Sequence, residues 1–203
     1  MNQKINLKDI AKKAYTSYHQ DGILDITISI VIIAFGIMMN LDLPWLGGTF
    51  GIVAMSFYAA AKKVLTVPRI GYVKLPTQRA QRINVALLGL GVLSLLFAGL
   101  AFIQTTGEGT PAWLQLLIDN YMITIGLIIS GLFVLAGYTF RTKRMYIYAL
   151  ASITLFGFGH FIYFPLQYYL TLLGILVMVI GLAIMIRFVS KYPKAVKPWM
   201  HNT

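Results

Sequence analysis

Residues 166–186 read LQYYLTLLGILVMVIGLAIMI, a run without one charged side chain, and Arg187 follows it directly. At 1.5 Å per helical residue the run measures about 30 Å, the depth of a bilayer's hydrocarbon core. Its apolar residues are continuous and do not alternate, which suits a spanning helix and not a barrel strand. Five more predominantly apolar stretches of similar length precede it, at residues 23–43, 45–65, 83–103, 121–140 and 145–164. The second is the weakest, because its clean apolar run ends at Lys62 and Lys63, whose long stems are expected to snorkel toward headgroups. All seven prolines lie in the connections or at span ends, so none breaks a span.

The cations decide the orientation. All 17 Lys and Arg fall in residues 1–22, 62–82, 141–144 and 187–203, and none in the connections 40–48, 104–120 and 164–167. Cytoplasmic connections of membrane proteins are enriched in Lys and Arg. The expected fold is therefore an all-α polytopic bundle of six transmembrane helices, read as three antiparallel hairpins with both termini inside. The expected domains are a cytoplasmic interfacial helix over 1–22, a six-helix membrane domain over 23–189 that includes the basic loop 62–82, and a basic tail over 190–203. Hydrophobic residues make up 58% of the chain and charged residues 11%, against about 25% charged in soluble proteins. The net charge of +11 is accounted for by topology and calls for no nucleic acid.

Leu7, Ile10, Ala11, Ala14 and Tyr18 share one helical face, with Lys8, Lys12 and Lys13 largely off it. That pattern predicts an amphipathic helix lying among anionic headgroups or packed under the bundle. Gly22 is placed to end it. Asp25 then opens the first span, either capping the helix and answering its dipole or pairing with Arg69 or Lys74. Residues 64–67 and 72–75 flank Pro68-Arg69-Ile70-Gly71, which suits a type I turn and a short β-hairpin or clamp. The loop reads either as a docking surface for a partner or headgroup, or as a topogenic basic loop. His160 is the one histidine within a span, a candidate for a proton or ligand role or for plain hydrogen bonding. On the outer side, residues 112–118 are expected to form a short helix.

No metal, nucleotide or hydrolase motif is present, and the chain has no cysteine. No catalytic residue, metal ligand or cofactor is expected.

Two segments carry a resemblance. Residues 15–26, with Gln20-Asp21-Gly22-x2-Asp25-Ile26, and residues 67–74, with Pro68-Arg69-Ile70-Gly71-Tyr72-Val73-Lys74, resemble a group of uncharacterised bacterial multi-pass membrane proteins. The resemblance implies the bacterial cytoplasmic membrane and brings no reaction or ligand. It singles out Asp21, Gly22, Asp25, Pro68, Arg69, Gly71 and Tyr72. The expectation is a non-enzymatic membrane-embedded interaction or accessory component. Its expected partners are the lipid bilayer with its anionic headgroups and a cytosolic or membrane protein, and it is compatible with homo-oligomers. The alternative is a small transporter or channel subunit for a neutral or lipophilic solute.

Overall fold

A computed structural model describes residues 20–47, 49–70, 112–162 and 164–193. The interfacial helix expected over 1–22 (save its last residues), the third span, the tail from 194 on, and Gly71, Tyr72 and Lys74 lie outside them. The described residues are helical, with no strand among them. The helices are α1 (Ile23–Asn40), α2 (Pro44–Gly47), α3 (Thr49–Ile70), α4 (Ala112–Asp119), α5 (Tyr121–Phe140), α6 (Lys143–Phe161) and α7 (Leu166–Lys191). Four of them, α1, α3, α5 and α7, are long and apolar enough to cross a membrane. Their outward faces are apolar too: Ile52 is 75% exposed and Met55 69%. Apolar surface on that scale belongs against lipid, since water would penalise it.

The chain forms two compact units, residues 1–73 with 165–203 and residues 74–164. In the first, α7 lies antiparallel along α1. The contacts step evenly along both helices: Ile26 meets Gly181, Ser29 Oγ lies 3.3 Å from Met178 Sδ, Ile33 meets Gly174 and Gly36 meets Thr171. Between apolar helices in lipid there is no hydrophobic drive, so small residues that permit close approach decide the contact. A Cβ on Gly174 would come within 2.5 Å of Ile33 Cγ1.

Helix α3 corrects the sequence reading. Residues 64–70, expected as a strand and a turn, are helical. The helix stays continuous by widening to a π-turn over Lys62–Thr66, in which the Val67 N–H donates to Lys62 O, five residues back. The cause is Pro68. It has no N–H to give to Val64 O, and its ring would clash with that carbonyl in a regular helix. A wider turn just before the proline relieves both problems.

In the second unit, α5 and α6 form an antiparallel pair. Gly126 lies under Phe156, Ser152 Oγ donates to Gly126 O (3.3 Å), Phe133 meets Tyr148 edge-on at 5.6 Å, and Gly137 abuts Met145 and Tyr146. Helix α6 begins among the cations at Lys143 and stops at Phe161, short of the expected residue 164. Pro165 disfavours helical backbone at Phe164. Arg141, at φ 53°, and Thr142 make the turn between the pair. The short helix expected at 112–118 is α4, set off from α5 at Asn120, whose Nδ2 donates to Leu116 O.

Gly174→Ala should destabilise the fold by roughly 1–3 kcal/mol through overpacking. Gly131→Ala, with open space around its Cβ position, should be neutral or stabilising by up to about 1 kcal/mol. Denaturant titration of helix content in detergent checks the pair.

Candidate functional site

A buried polar cluster among the described residues of the first unit sits where α1 begins and α3 ends. It is built from the backbone outward. Gly22 adopts a left-handed conformation, φ 78°, at the start of α1. This brings Asp21 above the helix, where its Oδ1 accepts the Ile23 N–H at 3.2 Å. A residue with a side chain fails at position 22 twice over. It would resist the positive φ, and its Cβ would fall on the Gly181 carbonyl and 2.8 Å from Met185 N.

Asp21 Oδ2 accepts two further hydrogen bonds, from Lys62 Nζ at 2.6 Å and from Thr66 Oγ1 at 2.5 Å. Both donors lie on the π-turn, four residues apart, and all three side chains are buried. The cluster is a charge-assisted network in which one carboxylate holds the ends of two helices. Lys62 also lies 5.5 Å from the Tyr58 ring centre, within cation–π reach.

Lys62 and Thr66 were not among the residues singled out from sequence. Lys62 was expected to snorkel outward; instead it is buried, while Lys63 beside it is exposed. The signal was present in the hairpin geometry. Phe35 on α1 meets Gly47 on α2, and continuing that antiparallel register into α3 brings residue 62 near residue 21.

The other sequence candidates are placed as follows. Asp25 is fully buried in the first turn of α1, its Cβ close to Gly181. An ion pair joins Asp21 to Lys62; Lys74, one of the two partners expected for Asp25, lies outside the described residues. Arg69 turns back along its own helix, its Nη1 donating to Leu65 O at 2.7 Å. Pro68 is exposed in the last turn of α3. His160 is half-buried near the end of α6, edge-on to Phe161 at 5.5 Å. The described residues contain no cluster of three His, Cys, Asp or Glu that could hold a metal.

A groove of about 330 Å³ runs between α5 and α6, lined by Leu127, Ile153, Phe156, Phe158 and Phe161 among others. Its hydroxyl, Thr154 Oγ1, donates to Leu150 O. The lining offers no titratable group for chemistry.

No protein-family model, curated protein or solved structure matches the chain. The resemblance carried by residues 15–26 and 67–74 rests on those two motifs.

A buried charge left without its partner is far costlier than the intact pair is stabilising. Lys62→Met should therefore destabilise by about 3–5 kcal/mol. The double variant Asp21→Asn/Lys62→Met, with no charge left at the joint, should recover most of that loss. A double-mutant cycle on unfolding free energy in detergent measures it. Near-additive single effects would show that the pair is not coupled.

Proposed function

We propose that this chain is a six-span protein of the bacterial cytoplasmic membrane, with both termini inside. In this reading it is a non-enzymatic interaction component that presents a basic face to the cytosol. The observation that supports it is the Asp21–Lys62–Thr66 joint. It anchors α3 next to its last helical turn, Val67–Ile70. That turn leads into the motif Gly71, Tyr72 and Lys74. A cationic, aromatic segment rooted in this way suits recognition of a protein partner or of anionic headgroups.

A second reading, a small transporter or channel subunit, is favoured by one feature. The π-turn and the buried charges of Asp21, Asp25 and Lys62 gather at one end of the first unit. π-turns concentrate at functional sites, and buried ionisable groups in membrane helices mark pathways.

Affinity purification in mild detergent should recover a partner that the variant Arg69→Ala/Tyr72→Ala loses. If the protein purifies alone and liposomes containing it show saturable solute flux, the transport reading replaces the interaction reading. Orientation is tested separately, since the chain has no cysteine. A cysteine introduced at Gly107 should react with a membrane-impermeant thiol reagent added to intact cells, and one at Thr77 should not. The reverse pattern would overturn the topology.

A further inference from the structure

Arg141 and Thr142 make the turn between α5 and α6, and Lys143 and Arg144 open α6. Thr142 is the N-cap residue of α6, a helix of 19 residues, and has the extended backbone of a capping position, φ −106° and ψ 113°. Its side chain makes no capping bond. The residue is 95% buried (5% exposed), and its Oγ1 has neither open surface nor a hydrogen-bond partner. A buried hydroxyl in that state costs free energy and calls for a partner. As the N-cap residue it stands at the positive end of the α6 dipole, which favours an acceptor carrying negative charge.

The surroundings agree. Arg141 and Lys143 are exposed on either side of Thr142, and Arg144 is half-buried. The acidic residue described in this unit, Asp119, precedes the opposite end of α5. The C-terminal carbonyls of α5 end at the same turn and would repel an anion, but the Arg141 and Thr142 N–H groups both donate to Gly137 O. Depth selects the source of the anion. Helix α5 has 20 residues and is apolar enough to cross a membrane, so its end falls at headgroup level.

We propose that this turn is a phospholipid-headgroup site. The phosphate of an anionic lipid accepts from Thr142 Oγ1 and from the N-terminal N–H groups of α6, while Arg141 and Lys143 neutralise its charge. Because Oγ1 is covered, one of the neighbouring side chains swings aside as the phosphate enters. The leaflet involved rests on the orientation proposed above; the site itself does not.

The test uses the full chain in detergent, titrated with phosphatidylglycerol or phosphatidylcholine and read by native mass spectrometry. Phosphatidylglycerol should bind tightly and phosphatidylcholine weakly. Thr142→Val should weaken phosphatidylglycerol binding by about tenfold or more, the value of a hydrogen bond to a charged group. Thr142→Ser should bind like the natural chain. Unchanged binding by Thr142→Val overturns the site and leaves an ordinary basic turn. Equal binding of the two lipids also overturns it. Displacement of the lipid by inorganic phosphate overturns the headgroup assignment in favour of a soluble anion. If Thr142→Val loses helix content, Arg141→Gly decides. Glycine suits the left-handed backbone there, so the variant should fold while binding phosphatidylglycerol several-fold more weakly; undiminished binding overturns the proposal.

Discussion

The ion pair between Asp21 and Lys62 does for α3 what glycine does for α7. Two helices in hydrocarbon gain nothing from hiding apolar surface from each other, because lipid is as good a neighbour as leucine. Helix α7 overcomes this by shape, laying Gly174 and Gly181 against Ile33 and Ile26. Helix α3 has little such complementarity: 17% of its apolar window is buried, against 44% in α1. Its buried residues include Ala54, Lys62 and Thr66, and two of those three serve Asp21. Without the carboxylate, α3 would keep few contacts that prefer protein to lipid.

The pair is tolerable because its desolvation is offset on every side. Asp21 accepts from an ammonium, a hydroxyl and a backbone N–H at a helix start, so both carboxylate oxygens are hydrogen-bonded. The geometry depends in turn on two backbone departures. Gly22 in the left-handed region points residue 21 over α1, and the π-turn forced by Pro68 sits where Lys62 and Thr66 are. Three motif residues that look unrelated in sequence, Asp21, Gly22 and Pro68, thus belong to one joint.

This explains which parts were legible beforehand. Long apolar runs announce themselves because the bilayer imposes one length and one polarity on every crossing; α1, α5 and α7 were plain for that reason, and α3, whose apolar run closes on Lys62 and Lys63, was less so. The joint was not plain. A lysine closing an apolar run looks the same in sequence whether it reaches water or a carboxylate, and only the register of the α1–α3 hairpin distinguishes the two. The reading of Pro68-Arg69-Ile70-Gly71 as a turn followed ordinary soluble-loop propensities. It failed because a helix emerging from a membrane meets a high cost for exposing its backbone, and a widened turn is the cheaper response to proline. Asp25 was correctly placed at a helix start, yet its burial against Gly181 could not be seen without knowing that α7 returns to α1.

Two further residues show how position governs the tolerance of strain. Gly22 and Arg141 both occupy positive φ, where a side chain costs about 1 kcal/mol or more. At position 22 the adjoining helix leaves no room for one, so packing alone demands glycine. At position 141 the residue is exposed and packing would accept glycine without loss. An arginine stands there against its backbone preference. Setting orientation does not require it, since Lys143 and Arg144 lie within three residues and carry the same sign. A strained cation beside an orphaned buried hydroxyl is the arrangement expected where charge is wanted at one particular point, and not merely on one side of a membrane.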